Sequence, residues 1–231
     1  VISYRGRIWR AVECARSNTD IWGKRYSAMI ISAPDSADLL QAASWSVTDS
    51  LPYDSTYLDG KFGAWLEGNA VVTPDGNVAD LLRVDYAPGP EYAALIRLRD
   101  SVSFDPFDPE KDFVRMPGGA KKFTVRYDSL SGRYWSLVNY VTQEWAGKQN
   151  PAWVRNTLAL SSSPNLQEWT VHRTVLHHPD IAKHGFQYAD WLFDGNDIVL
   201  LSRTAYDDNG TGAHNCHDAN YMTFHRIKDF R

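Results

Sequence analysis

The sequence is short of sulfur, of long apolar runs and of positive charge, and each shortage excludes a class of protein. Two cysteines, Cys14 and Cys216, are too few for a disulfide framework and indicate neither an oxidising nor a reducing compartment. No stretch is apolar enough for a membrane span. The net charge of −4 argues against a nucleic-acid surface, because phosphate binding is supported by a basic excess.

Aromatic residues are abundant instead. The chain has 9 tryptophans and 12 tyrosines, side chains that serve both sheet packing and sugar stacking, and we assign packing the larger share. With 231 residues, 43% hydrophobic and 23% charged, the chain can bury a large core as one all-β domain or two smaller ones. No signal peptide is recognisable, and the chain opens at Val1 inside a predicted strand, so we expect a leader and earlier structure to have been removed.

The stretch from His184 to Arg226 predicts an antiparallel meander. It contains three alternating apolar runs, at Phe186–Phe193, Ile198–Ala205 and Tyr221–Ile227. Asp194-Gly195 separates the first two runs and suits a tight hairpin. Polar residues collect at the start of the first strand, the end of the second and the approach to the third, which are neighbouring places in an up-down-up meander.

This pattern recurs along the chain. Four glycines each lie between two alternating runs at loosely regular intervals: Gly6, Gly76, Gly132 and Gly195. The strands after them are predicted at RIWRAVE, VADLLRVD, RYWSLVNYV and DIVLLSRTA. Third strands are predicted at Tyr26–Ala33, Tyr92–Leu98, Asn156–Ser162 and Tyr221–Ile227, and fourth strands near Trp45–Thr48, Phe113–Met116 and Thr170–Leu176. Four such units predict a β-propeller of four-stranded antiparallel blades, with an irregular β-sandwich as the rival.

The predicted blades cover approximately residues 1–50, 62–118, 120–178 and 184–231 of a single propeller domain. Long helical periodicity is absent, and only Ser36–Ala43 is predicted to form one or two helical turns. The first unit begins inside a strand and the last ends after its third strand, whereas a propeller closes by pairing strands from its two termini. The sequence therefore predicts a fragment of a larger ring of about five or six blades.

Two kinds of motif carry a resemblance to a known family. Ser163–Trp169 (SPNLQEW) and, more loosely, Ser32–Trp45 resemble the Asp-box turns between outer strands of sialidase-like propellers, with Asn165 where that motif has Asp. A wider set looks like bacterial BNR-repeat, sialidase-family proteins: GRIWRAVE, WLEGN, PGGAKKFTVRYD, RYWSLVNYV, FQYADW, SRTAYDD and HDANYMTFHRI. The resemblance implies a propeller, a glycan or polysaccharide partner, and a secreted or periplasmic location.

Candidate site residues are placed where first strands start, second strands end and third strands begin, because these points share one face of a propeller. The expected catalytic residues are Asp190, Glu67, Tyr188 and His217. The expected substrate-binding residues are Arg10, Arg83, Arg203, Asn69, Lys122, Gln187 and Asp218. Asp190 and Glu67 are expected in one pocket with Tyr188 and His217, with loop capping as the structural alternative.

Other polar groups are given structural roles. We expect no metal and no cofactor, since His214-x-x-His217 lacks a third ligand at helpful spacing. His177 and His178 are expected as loop residues, and Lys121-Lys122 as a solvated pair. The arginines have an even alternative as partners of Glu13, Asp85 or Asp207.

Three functions fit these residues. The first is an exo-acting, sialidase-like glycosidase that removes a terminal acidic sugar, because sialidases use Tyr as the nucleophile. The second is a lyase on a uronate polysaccharide, with Tyr188 and His217 as base and acid. The third is a non-catalytic glycan-binding propeller that stacks sugars on Trp and Tyr.

Overall fold

The chain folds into four small antiparallel sheets. They are seen in a computed structural model that describes residues 1–15 and 19–231. The strand order in each sheet follows the chain order, so that consecutive strands lie side by side. Such sheets are the blades of a β-propeller, and the predicted fold class is confirmed.

The strands lie close to the predicted runs. The first sheet contains β1 (Ile2–Tyr4), β2 (Arg7–Ala15), β3 (Tyr26–Pro34) and β4 (Ser46–Val47). The second contains β5 (Ala64–Val72), β6 (Val78–Asp85), β7 (Tyr92–Arg97) and β8 (Phe113–Arg115). The third contains β9 (Thr124–Asp128), β10 (Arg133–Asn139), β11 (Thr157–Ser163) and β12 (Thr170–His177). The fourth contains β13 (Gly185–Asp194), β14 (Asp197–Ala205) and β15 (Tyr221–Ile227).

The four repeat glycines lie in the turns between the first and second strands, as predicted. Their φ angles are +70°, +78°, +62° and +62° for Gly6, Gly76, Gly132 and Gly195. A residue with a Cβ is strained in this left-handed region, so glycine is the residue that lets each hairpin close tightly. The turn chemistry therefore fixes where each blade begins.

The helical prediction for Ser36–Ala43 is wrong for most of its length. Only a 3₁₀ turn at Ala42–Ser44 forms there. The Asp38 carboxylate accepts a hydrogen bond from the Leu40 backbone N–H at 3.0 Å, and such local side-chain bonds compete with helix. Short helical turns occur instead at Tyr57–Gly60 and Pro109–Asp112. No helix among the described residues is long and apolar enough to cross a membrane.

The turn from Ser163 to Trp169 connects β11 and β12, the outer strands of the third blade. Asn165 Oδ1 accepts hydrogen bonds from the backbone N–H groups of Gln167 and Glu168 at 3.0 and 2.9 Å. Trp169 Nε1 donates to the Leu166 carbonyl at 3.0 Å. Asn165 thus closes the turn as an aspartate would.

The chain divides into two compact units, residues 1–86 with 92–114 and residues 87–91 with 115–231. The first unit has an aromatic core around Trp65, which stacks on Phe113 with ring centroids 5.7 Å apart. The core of the second unit contains Trp135 and Trp191, both almost fully buried. Burying each such ring removes roughly 150–250 Å² from water, which is why so small a set of strands holds together.

Candidate functional site

Tyr188 lies in an irregularity near the start of β13. The pairing of β13 with β14 shifts between Gln187 and Asp190, so that β13 has one extra residue there. Tyr188 has a φ of +51°, a conformation that costs a non-glycine residue roughly 1–3 kcal/mol. Bulges of this kind re-aim a side chain and are common beside active sites. The local backbone therefore marks Tyr188 as a functional candidate.

The side chains around Tyr188 form one cluster. The Arg203 guanidinium lies over the Tyr188 ring, 4.5 Å from its centroid, and that of Arg155 lies 5.9 Å away. The His217 ring approaches Tyr188 edge-on, with centroids 6.1 Å apart. Arg203 Nη2 also donates to the His217 carbonyl in a short contact. The meander thus brings Tyr188, Arg203 and His217 together.

Asp218 orients the His217 imidazole. His217 Nδ1 lies 3.2 Å from Asp218 Oδ1, and this hydrogen bond is the main reason that the pKa of Asp218 is lowered. Asn215 Oδ1 accepts hydrogen bonds from the backbone N–H groups of His217 and Asp218, both at 2.8 Å, which orders the loop. A carboxylate on one imidazole nitrogen fixes the tautomer and leaves the other nitrogen for proton transfer.

Gln187 organises this loop from below. Its side chain is fully buried and donates to the carbonyls of Cys216 and His217 at 2.7 and 2.8 Å. Its Oε1 accepts from Arg155 Nη1 at 2.8 Å. Both ends of the amide are occupied, so the structure gives Gln187 a supporting position.

Arg155 was missed by the sequence reasoning. It directly precedes β11, the same relative place that His217 and Asp218 hold before β15. The rule that polar residues gather at the approaches to third strands could have found it. Its charge near Cys216 opposes the stronger effect of desolvation, which raises the pKa of the Cys216 thiol.

Arg203 is positively charged without a carboxylate counterpart. Within residues 1–15 and 19–231, no carboxylate lies within ion-pair distance of its guanidinium. Its Nε is buried and has no hydrogen-bond partner there. A buried donor without a partner costs about 1–3 kcal/mol, so the arrangement favours an anionic ligand.

Asp190 has other partners. Its carboxylate is 69% exposed, forms an ion pair with Arg126 Nη2 on β9 at 3.1 Å, and accepts from the Trp191 backbone N–H at 2.9 Å. These bonds are of the capping kind named as the structural alternative. No hydrogen bond or ion pair joins Asp190 to Tyr188, Arg203 or His217 in the described part of the chain.

Glu67 lies in a second bulge, near the start of β5. The pairing with β6 shifts between Trp65 and Gly68, again by one residue. Glu67 Oε2 forms an ion pair with Arg83 Nη1 at 3.0 Å, and Arg83 is nearly buried. The charge of Arg83 is therefore met within the first unit.

Further carboxyl groups surround this pair. Burial raises the pKa of Glu13, the nearby charge of Glu67 adds to the rise, and Arg83 opposes it. Burial also raises the pKa of Asp85. Asp80 is fully buried, and desolvation holds its pKa well above the usual range although the Asn69 backbone N–H donates to it. This environment favours neutral carboxylic acids beside an ionised pair.

The remaining predicted residues take varied places. Asn69 is half-buried and its amide donates to the Leu81 carbonyl at 3.4 Å. Arg10 is exposed on β2, opposite Ile31. Lys122 is half-buried.

The expectation of a solvated Lys121-Lys122 pair is wrong for Lys121. Its side chain is 0% exposed and pairs in a short contact with Glu91, which is also nearly buried. Lys121 Nζ also donates to the Pro151 carbonyl at 3.0 Å. Burial of an ammonium requires such a partner, and Glu91 is too distant in sequence to have been foreseen.

His178, His184 and Asp207 place three ligand-type atoms within 4.8 Å of one another. The two imidazole rings stack in nearly parallel planes, with centroids 3.5 Å apart and an angle of 16°. One ion cannot lie in the planes of both rings, which is where imidazole lone pairs point. His178 Nδ1 already accepts from the Asp180 backbone N–H at 3.1 Å. The geometry therefore favours a packed histidine pair over a metal centre.

Comparison with known proteins gives a likeness of fold. No protein-family model and no curated protein matches the sequence significantly. The chain is similar to a GH32 β-fructofuranosidase, BmSUC1, of Bombyx mori, with 14% identity, a TM-score of 0.57, and coverage of 88% of this chain and 40% of that one. The structure of an RGII complex of BT0996 gives 13%, 0.58, 98% and 69%. A β-fructofuranosidase of Schwanniomyces occidentalis, complexed with fructosyl-erythritol, gives 11%, 0.51, 94% and 44%. The chain thus spans less than half of the two fructofuranosidase chains.

Proposed function

We propose that the chain is part of a glycoside hydrolase that removes a terminal acidic sugar from a glycan. The observation that carries the proposal is the Arg203 guanidinium, which stacks on Tyr188, has no carboxylate partner among the described residues and keeps a buried Nε–H unpaired. Arg recognises a carboxylate with its planar fork of donors, so this group suits a uronate or sialate carboxylate.

The residues beside Arg203 supply the chemistry. Tyr188 is the proposed nucleophile, since a tyrosine replaces the usual carboxylate nucleophile when the sugar itself is anionic. His217, oriented by Asp218, moves the proton. Glu67, ion-paired with Arg83, and Asp190 are the carboxylates proposed for acid and base work.

The structural neighbours support a carbohydrate substrate by their printed names, which include two β-fructofuranosidases. Those names do not include a sialidase, so the acidic sugar rests on Arg203 alone. We infer a secreted or periplasmic location from the same carbohydrate-active reading.

A lyase acting on a uronate polysaccharide is the second candidate. It is favoured because Tyr188, His217 and Arg203 lie within one cluster of the second unit. Arg203 would neutralise the uronate carboxylate, while Tyr188 and His217 exchange the proton.

Tyr188→Phe tests both reactions. The substrates are chromogenic sialosides, chromogenic uronides and uronate polymers, assayed for new reducing ends and for the absorbance of unsaturated products. Hydrolysis gives the first signal alone, and elimination gives both. Tyr188→Phe keeps the ring under Arg203 but should lower turnover by about 10²-fold or more, as expected for loss of a group that transfers a proton or attacks.

Tyr127→Phe is the matched control, because Tyr127 is a 54% exposed tyrosine of β9 in the same unit. It should leave turnover unchanged. Full activity in folded Tyr188→Phe would contradict both reactions. Saturable binding of acidic glycans by the wild type without any turnover would leave the glycan-binding propeller as the function.

A further inference from the structure

A pocket of about 500 Å³ lies in the second unit and shares no residue with the Tyr188 cluster. Its walls include Arg133 from β10 and His172 and Arg173 from β12. Asp229, Phe230 and Arg231 cover another side. A cavity of this size holds a small ligand or one sugar ring.

The charges in this pocket are not balanced. Arg231 is neutralised by Asp128, which accepts from its Nε and Nη2 at 2.8 and 3.0 Å. Arg133 and Arg173 have only neutral partners, the Ser162 hydroxyl at 2.8 Å and the Lys228 carbonyl at 2.7 Å. In the described part of the chain, no carboxylate lies within ion-pair distance of either guanidinium.

Each of these bonds uses one N–H of a guanidinium that has five. Arg133 and Arg173 therefore keep several donors for a ligand. Asp229 adds one carboxylate to the lining, which does not offset two free guanidinium charges.

His172 reports the field inside the pocket. Its pKa is lowered first by burial and then by the charges of Arg133 and Arg173. Its Nε2 contacts the same Ser162 hydroxyl at 2.7 Å, and its ring lies 5.1 Å from that of Trp135. The imidazole is thus held in place where it senses both arginines.

We propose that this pocket binds a small oxyanion between the guanidinium groups of Arg133 and Arg173. Sulfate, phosphate and carboxylate groups match the forked donors of arginine, which can contact two oxygens at once. The oxyanion comes either from a free inorganic ion or from an acidic substituent of a glycan. This binding does not depend on the activity proposed above.

Calorimetric titration tests the binding. Sodium sulfate is added to the full chain, with sodium chloride at equal ionic strength as the blank, and Arg133→Gln and Arg173→Gln are compared with the wild type. Sulfate should bind at one site, and each substitution should weaken it by about tenfold or more, the loss of one charge-assisted pair. Lys148→Gln removes an exposed charge outside the pocket and should bind sulfate as the wild type does.

A pair of oligosaccharides with and without a sulfate ester distinguishes the two sources. Tighter binding of the sulfated sugar than of inorganic sulfate indicates a glycan substituent, and equal binding indicates a free ion. Absence of sulfate heat beyond the chloride blank, or equal affinity in Arg173→Gln and the wild type, would overturn the proposal.

An NMR titration of His172 in the wild type keeps the test valid if a variant does not fold. Sulfate should raise the pKa of His172, because an anion between the two arginines offsets the charges that lower it. The same pKa in sulfate and in chloride would contradict binding at this pocket.

Discussion

Two arginines at the ends of second strands have different counter-charges. Arg83 on β6 is nearly buried and bonds Glu67 at 3.0 Å, so its charge is already used. Arg203 on β14 bonds a carbonyl and stacks on a tyrosine ring. Of the three arginines expected to bind a substrate carboxylate, Arg203 is therefore the one whose environment favours it most.

Arg203→Lys should weaken binding of an acidic glycan by about 1.5–3 kcal/mol, the range for a hydrogen bond to a charged group. A lysine keeps the charge but loses the planar fork and the stacking on Tyr188. Calorimetry with matched acidic and neutral glycans measures the loss. Arg226→Lys is the control, since Arg226 pairs with Asp194 and Asp197 on the same sheet. Equal wild-type binding of acidic and neutral glycans would remove this role.

Glu67→Gln and Asp190→Asn should each lower turnover by about 10²-fold or more if the carboxylates transfer protons. The two variants differ in stability. Asp190 is 69% exposed in its ion pair, so its loss should change the free energy of unfolding by less than about 1 kcal/mol. Glu67→Gln leaves Arg83 without its partner and should cost more. Denaturant unfolding and turnover are measured on the same samples, and full activity in both folded variants would refute the proposed roles.

Asp80→Asn should stabilise the protein at neutral pH. Burial raises the pKa of Asp80 in the folded state, so the folded protein holds a proton that the unfolded chain releases above its ordinary pKa of 3.8. Stability is therefore lost as the pH rises from that value toward the folded pKa. The asparagine removes this loss while its side-chain oxygen still accepts from the Asn69 backbone N–H. The gain in unfolding free energy should be present at pH 7 and shrink toward pH 3.5, and a gain independent of pH would contradict the assignment.

Single residues were predictable where the strand pattern placed them and unpredictable where a distant partner decided their role. The meander geometry brought Tyr188, Arg203 and His217 to one place from alternation and turns alone. The partners of Asp190 and Lys121, which are Arg126 and Glu91, lie far away in sequence. No local pattern encodes such pairs, because they depend on which strand ends meet after folding.

Among the elements, the hairpins followed directly from the sequence. An Asp-Gly or Ser-Gly pair between alternating runs allows the left-handed turn and fixes the register of both strands. The bulges in β5 and β13 did not follow, since one inserted residue leaves the apolar alternation nearly intact on either side. The two irregularities that carry Glu67 and Tyr188 were thus invisible to periodicity.

Gly68→Ala should destabilise the protein by about 1–3 kcal/mol, the range for overpacking. A Cβ at Gly68 would lie 2.1 Å from Asp80 Oδ1, so the bulge and the buried carboxyl cannot both stay in place. Gly210→Ala is the control, because its nearest contact is an ordinary 3.4 Å. Thermal unfolding measures both, and in an Asp80→Ala background the cost of Gly68→Ala should fall. An unchanged cost would mean that Asp80 is not the clashing group.

For the molecule as a whole, the propeller class was readable because each blade repeats one pattern. The sheet of β13, β14 and β15 has an unusual surface: one face exposes Leu192, Leu201, Met222 and Phe224, each by 49–67%. Apolar side chains gathered in this way on a sheet face favour association. The alternation of residues on these strands shows which face is apolar, but the sequence does not show whether anything covers it.

Leu201→Lys with Phe224→Lys should lower any self-association of the isolated chain. The two residues are cross-strand partners at the centre of this face, and lysines there oppose contact between sheets. Sedimentation velocity over a range of concentrations measures the change. Lys148→Gln serves as a charge control, and unchanged association in the double variant would show that another surface is responsible.

The bulge that presents Tyr188 has a consequence for how such blades diverge. Deleting one codon between Gln187 and Asp190 would restore regular pairing with β14 and keep the Asp194-Gly195 hairpin. Because side chains alternate with a period of two, the same deletion would send the tyrosine to the opposite face of the sheet. A blade could therefore lose or gain its reactive side chain in a single genetic event while its scaffold persisted, and relatives of equal fold need not share an activity.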